Sequence, residues 1–326
     1  MPRSIIWISQ KFSGDARRAL EDGTREYALR WDARGSASTL AASAGDPACS
    51  SAQIVFGQPT VEDMMNSTSL RWLALSTAGY TRYDRDDLRQ HLASLGAIAT
   101  NASGVYAVPC AQHALALLLS ATRAVAASVA DHQHSRSWPQ SGIRAGSCLI
   151  DHRSPVLLVG YGAIARELAG LLRPFGCPVI AFRRAPRGDE ACPTLPIDWL
   201  DQHLPSAKAV INILPLSDST KGFFDRSRLA RMRPDAIFVN IGRGDTVDQA
   251  SLIEAMNAGR LGAAMLDVTS PEPLPADHPL WSARNCYITP HTAGGSDDEF
   301  MRQVEHFRAN LRRFERGEPL EDRIFA

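Results

Sequence analysis

The chain has 326 residues, 44% of them hydrophobic, which is longer than one average domain and enough to fill two cores. Thirty-five basic residues balance thirty-five acidic ones, so no net field exists to draw in DNA, RNA or an anionic membrane surface. A small molecule becomes the expected ligand by elimination.

At the N-terminus, MPRSIIWISQ holds an apolar stretch too short for the hydrophobic segment of a secretion signal. No run approaches the ~20 apolar residues of a membrane span, so a cytoplasmic protein is expected. Up to about Val108 the chain alternates short apolar runs, SIIWIS, QIVFG (53–57) and RWLALSTAG (71–79), with polar or helical segments. Such spacing predicts parallel strands joined by crossover helices. PCAQHALALLLSATRAVA (109–126) then places Pro109 at a first helical turn and small or apolar residues on nearly every face. A helix this apolar is expected to be buried between domains or subunits. Residues 131–153 are polar, carry two glycines and an isolated Trp138, and read as an arm.

Six further apolar runs follow: VLLVG, CPVIAF (177–182), KAVINIL (208–214), AIFVNI (236–241), GAAML (262–266) and CYIT (286–289). Continuous runs of this kind predict strands covered on both faces by helices, hence a second doubly wound sheet. The stretch 296–320 has an Asp-rich start and an amphipathic body, and should form a helix that returns to the first domain. The cysteines, Cys49, Cys110, Cys148, Cys177, Cys192 and Cys286, form no CxxC pair and no cluster with histidine, so no metal site is expected. They suit burial in a reducing compartment.

Gly160-Tyr161-Gly162-Ala163-Ile164-Ala165 follows one of these strands and opens a helix, the setting in which a GxGxxG/A match predicts a dinucleotide site. Gly160 permits the tight turn, Gly162 admits a pyrophosphate to the backbone, and the small Ala165 lets the helix sit close to the sheet. The next strand ends in Arg183-Arg184, with Arg187 close behind, where an NAD enzyme usually places Asp or Glu on the ribose hydroxyls. A guanidinium pairs with a 2′-phosphate, so NADP(H) is the expected cofactor, with NAD(H) as the alternative.

Three loops after strands each deliver one polar side chain. Arg243 lies between two glycines in VNIGRGDTVD (239–248), Glu272 between two prolines in LDVTSPEPLP (266–275), and His291 in ITPHTAGG (288–295). Reduction of a 2-oxoacid needs a fixed cation for the carboxylate and ketone, and an imidazole to move a proton, with a carboxylate to keep that ring charged. Of the nine histidines, His291 alone stands in such a loop at a strand's carboxyl end. His113, His132, His134 and His306 read as ordinary hydrogen-bonding residues, and His278 is a decoy. Asp267, ending the GAAMLD strand, either faces the nicotinamide carboxamide or is structural.

In order, these motifs resemble the D-isomer-specific 2-hydroxyacid dehydrogenases from roughly residue 71 to 320. The likeness also takes in STAGYTRYD (76–84), NASGVY, AQHALALLL and LPLSDSTKGFF (214–224). It implies an α/β architecture of two Rossmann-like doubly wound parallel-sheet domains with the active-site cleft between them. A flavodoxin-like substrate domain would span 1–108 plus 293–326, and a dinucleotide-binding domain 109–292. The resemblance implies that Arg243 binds substrate, Glu272 supports the histidine and His291 is the acid/base. The amides near Ala78 and Gly79 would receive the substrate carboxylate. Cofactor contacts would come from Gly160, Tyr161, Gly162, Ala163, Ile164, Arg183, Arg184, Leu214, Pro215, Thr220, Ile241, Gly242, Asp267, His291 and Gly294.

The likeness further implies a homodimer through the cofactor domain, and a Trp138 that reaches toward the neighbouring subunit. Tyr80 and Trp281 are candidates for lining the pocket. Ala165 replaces the third glycine, Gln112 a common glutamate and Arg183 the ribose-binding aspartate. Glu272 stands where the formate dehydrogenase branch carries Gln, which disfavours formate. The expected activity is hydride transfer between NAD(P)H and a small 2-oxoacid of the glyoxylate or hydroxypyruvate type. The alternatives are a corepressor-like dinucleotide-binding protein and a dehydrogenase of another small anion such as phosphite.

Overall fold

The computed structural model describes residues 3–36, 44–136 and 138–325. The chain divides into two compact units, 1–106 with 296–326, and 107–295. The sequence placed the divisions at 108/109 and 292/293.

In the first unit, strands β1 (Ile5–Gln10), β2 (Ala28–Ser36), β3 (Ile54–Gly57), β4 (Trp72–Leu75) and β5 (Ile98–Thr100) run parallel in the order β2-β1-β3-β4-β5. This is the flavodoxin-like order. A short C-terminal strand, Arg323–Phe325, adds antiparallel to β5. The helix Glu299–Arg316 returns to this sheet as its amphipathic pattern requires, burying Val304, Phe307 and Leu311. Phe307 stacks between Phe56 of β3, at 4.2 Å, and Trp72 of β4, at 5.0 Å between ring centroids. Gly317 ends the helix in the left-handed region, at φ 67°.

The second unit holds β6 (Val156–Val159), β7 (Val179–Arg183), β8 (Thr194–Pro196), β9 (Ala209–Asn212), β10 (Ile237–Asn240), β11 (Ala263–Leu266) and β12 (Cys286–Ile288). All are parallel, in the order β8-β7-β6-β9-β10-β11-β12. That is the order of a dinucleotide-binding sheet with one strand added, and its direction of growth reverses between β6 and β9. Alternate residues feed two cores. Leu157, Val159, Val210 and Phe238 enter one, while Val156, Leu158, Ile211 and Val239 enter the other. Burial of both faces is why these strands have no polar alternation.

Two expectations are corrected. Pro109 does not open its helix: the helix runs Ser103–Thr122 with Pro109 inside it, because Asn101 Oδ1 already accepts the Ser103 amide at its start. This helix is also long and apolar enough, by length and composition, to cross a membrane, although no continuous run of that length stands in the sequence. It gives Ala111, Ala114, Leu117 and Leu118 to the second unit's core. The expected arm carries helices Val125–Ser135 and Gln140–Gly146, and Trp138 is 89% exposed.

Candidate active site

The loops at the carboxyl ends of β6 and β9 meet where the strand order reverses. Gly160 has φ +100°, and a Cβ there would lie 3.0 Å from the Ile213 carbonyl oxygen, so both conformation and space demand glycine. Gly162 is the extended N-cap of helix Ala163–Leu172, which has no side-chain cap, and a Cβ on it would meet nothing within 4 Å. Open space before an uncapped helix start is what a pyrophosphate needs. Ala165 is fully buried under the helix. The residues present fit a dinucleotide.

Tyr161 is nearly buried, and its hydroxyl accepts a hydrogen bond from the Ala191 amide at 2.6 Å. Ile164 packs at the edge of the core, and Leu214 and Ile241 are buried, whereas Pro215 is exposed. The Thr220 hydroxyl donates to the Pro215 carbonyl at 2.6 Å and accepts the Ser217 amide at 2.8 Å, closing the loop after β9 on itself. Arg183, at the end of β7, donates from Nη1 to Glu190 Oε1 at 3.1 Å, while Arg184 and Arg187 are exposed.

Arg243 is held by its backbone. A Cβ on Gly242 would come within 2.6 Å of the Leu214 carbonyl oxygen, and one on Gly244 would collide with the backbone of Thr269. The two glycines thus let the Arg243 loop lie against the β9 loop on one side and the Glu272 loop on the other. Buried Asn212 and Asn240 fix this arrangement. Asn212 Nδ2 donates to Asn240 Oδ1 at 3.0 Å and to Thr246 Oγ1 at 2.7 Å, and Asn240 Oδ1 accepts the Gly242 amide at 3.1 Å. Thr246 Oγ1 donates to the Arg243 carbonyl at 2.6 Å. Arg243 Nη1 donates to the Gly242 carbonyl at 2.6 Å. Burial lowers the Arg243 pKa from its ordinary value, with the Glu272 charge acting against the shift.

Glu272 lies between the cis peptides Ser270-Pro271 and Glu272-Pro273. Its Oε1 accepts the Thr269 amide at 3.0 Å and its Oε2 pairs with His291 Nδ1 at 2.7 Å. Burial pushes this carboxyl up, but the His291 ring and the Thr269 amide outweigh it and hold the group below the usual carboxylate range. His291 sits at φ +53°, a left-handed conformation that a non-glycine residue occupies only where its surroundings impose it. They do so through Asp267, whose carbonyl accepts the His291 amide at 2.9 Å. The Asp267 carboxylate accepts Thr289 Oγ1 at 2.7 Å and the amides of Thr292 and Ala293 at 2.9 and 3.0 Å. Of the two roles open to Asp267, the structural one is therefore occupied, and the residue is 2% exposed. Gly294 follows directly on the loop that Asp267 clamps.

Two contributors were missed in the sequence, the asparagines Asn212 and Asn240, whose signal is a polar residue closing an apolar run; His113 is the ordinary hydrogen-bonding residue it was read as. It places Nε2 3.0 Å from Thr289 Oγ1, supporting the same clamp. His278 accepts the Leu280 amide through Nδ1 at 3.2 Å, a capping role, and Trp281 is half exposed with Nε1 on the Pro275 carbonyl. His134 lies outside the described side chains. In the first unit, Ala78 and Gly79 follow β4. Their carbonyls accept from Asn101 Nδ2 at 2.7 Å and Thr77 Oγ1 at 2.8 Å, which fixes the peptide planes of that turn. Tyr80 packs edge-on against Phe325. Among the described residues no three His, Cys, Asp or Glu side chains gather as a metal site requires.

Residues 115–293 match the family described as D-isomer specific 2-hydroxyacid dehydrogenase, NAD binding domain. The chain is 33% identical over 232 residues to glyoxylate/hydroxypyruvate reductase B of Klebsiella pneumoniae, covering 70% of each chain. It is 36% identical over 173 residues to the glyoxylate reductase/hydroxypyruvate reductase of Homo sapiens, spanning about half (52%) of each. In fold, it is similar to a D-isomer specific 2-hydroxyacid dehydrogenase from Xanthobacter autotrophicus solved with NADPH and MES, with TM-score 0.78, 24% identity, and coverage of 99% of this chain and 98% of that one.

Proposed function

The chain belongs to the D-isomer specific 2-hydroxyacid dehydrogenases, and from that premise we propose that it reduces a small 2-oxoacid of the glyoxylate or hydroxypyruvate class to the D-2-hydroxyacid. The observation that carries the reading is the His291–Glu272 pair at 2.7 Å in the same unit as Arg243, whose loop packs against that of Glu272. A dinucleotide-binding protein that only signals has no need of this set, so the corepressor-like alternative is not favoured.

The bound dinucleotide supplies the hydride. Arg243, a cation on a rigid turn, holds the substrate carboxylate and draws electron density from the ketone. His291, with Nδ1 committed to Glu272, gives the Nε2 proton to the developing alkoxide. Glu272 fixes the orientation and tautomer of the ring for that transfer.

NADPH is the preferred donor in this reading, on the strength of the exposed Arg184 and Arg187 beyond β7 and of the NADPH held by the Xanthobacter relative. Val108, Val125, Val129, Trp138 and Leu149 are exposed apolar residues of the second unit, and a second copy covering them forms the proposed homodimer. The free cysteines support a reducing, cytoplasmic setting. A panel of 2-oxoacids with NADPH and with NADH, followed by nicotinamide absorbance, tests the activity. Turnover of glyoxylate or hydroxypyruvate is expected, and no turnover of any 2-oxoacid with either cofactor overturns the reading.

A further inference from the structure

Beyond β7 the chain builds an anion site and fills it itself. The amides of Arg187 and Gly188 are consecutive donors, with Gly188 at φ +85°, a turn that aims successive N–H groups into one concavity. Both reach Glu190, at 2.7 Å to Oε1 and 2.7 Å to Oε2. The third donor is Arg183 at 3.1 Å, and the Glu190 side chain is only 4% exposed against 21% for Arg183. Next door the Ala191 amide is tied to Tyr161 of the glycine loop. A cleft of about 480 Å³ opens here, with Gly188, Glu190 and Cys192 in its walls.

Two amides and a guanidinium at the end of the second strand of a dinucleotide-binding sheet are what a ribose 2′-phosphate would use. In this chain a carboxylate holds all three. We propose that Glu190 sets the cofactor discrimination by occupying, as an internal anion, the site a 2′-phosphate would otherwise fill. The inference rests on the dinucleotide reading of the preceding section and refines it. Arg183 is neutralised by Glu190, and the exposed Arg184 and Arg187 are left to attract the phosphate. The preference for NADPH is accordingly held below what three arginines would give.

The test is calorimetric titration of NADPH, NADH and 2′,5′-ADP into the full chain and into Glu190→Gln. Glutamine keeps one oxygen, enough for the Arg187 or the Gly188 amide but not both, while removing the charge. NADPH and 2′,5′-ADP should bind the variant about fivefold more tightly or better, from the loss of one like charge near the phosphate, with NADH changed by no more than about twofold. Glu190→Ser should shift the ratio in the same direction, and adding Arg183→Ala to Glu190→Gln should take the gain away. Weaker binding of all three ligands would make Glu190 a loop-ordering residue only. A ratio that rises only because NADH is lost would make it a ribose ligand. Either outcome overturns the proposal. A wild-type chain that binds none of the three removes the dinucleotide reading itself, and this inference with it.

Discussion

His291 Nδ1 lies 2.7 Å from Glu272 Oε2, and the two residues come from different loops of one parallel sheet. With one ring nitrogen committed, the proton to be transferred is on the other, and the committed side faces a carboxylate that is itself held below the usual range. Glu272→Gln keeps the shape and removes the charge. Because the hydrogen bond to Glu272 orients the ring that gives up its proton, kcat near neutrality should drop about tenfold or more in this variant. Steady-state kinetics with separate kcat and KM check it, and an undiminished kcat would show that Glu272 does not act through the ring.

His291→Ala should lower kcat by about two orders of magnitude or more, the usual cost of losing a general acid. The glycine loop and its helix start are untouched by this change, so NADPH should still bind. Single-turnover kinetics together with cofactor titration separate the two effects, and near-normal turnover would sink the assignment.

Much of this was legible in the sequence because burial on both faces writes a strand as an unbroken apolar run. All of β6, β7, β9, β10, β11 and β12 stood out this way, and each catalytic candidate stands in the loop after such a strand. The edge elements did not. β2, with Arg30 and Asp32 within it, the three-residue β8 and the terminal Arg323–Phe325 lack a continuous apolar signature and take their structure from a neighbouring strand. Arg183 was read as free to meet a phosphate because nothing in sequence spacing says that a loop will fold Glu190, seven residues on, back to it. Asp267 was ambiguous for the same reason: its partners Thr289, Thr292 and Ala293 become neighbours only when β11 and β12 pair.

That clamp predicts a pH-dependent stability. Burial raises the Asp267 pKa, but His113, Thr289 and the two amides more than reverse it, so the folded value is depressed. Its contribution is then fully present above the unfolded carboxylate value of about 4, and is lost as pH falls through the lower folded value. Asp267→Asn should cost about 2 kcal/mol at neutral pH, with the difference from the wild type shrinking toward pH 3. Urea unfolding at several pH values measures this, and a difference that is constant with pH would contradict it.

Gly162 offers the cleanest test of the cofactor site, because the reason for its being glycine lies outside the protein. A Cβ at Gly160 would press on the Ile213 carbonyl and sit at an unfavourable positive φ, so loss of binding in Gly160→Ala could be loss of fold. At Gly162 neither applies: φ is −129°, which alanine adopts without strain, and no protein atom lies within 4 Å of the added methyl. The same replacement narrows the unfolded ensemble, so stability should hold or rise slightly, by less than about 1 kcal/mol. A pyrophosphate that must approach this backbone meets the methyl directly, and NADPH and NADH should both weaken by about tenfold or more, since the contact precedes any discrimination at the ribose. Thermal unfolding without ligand and titration with both cofactors give the two numbers side by side. Undiminished binding in a stable Gly162→Ala protein would place the phosphates somewhere other than the start of this helix.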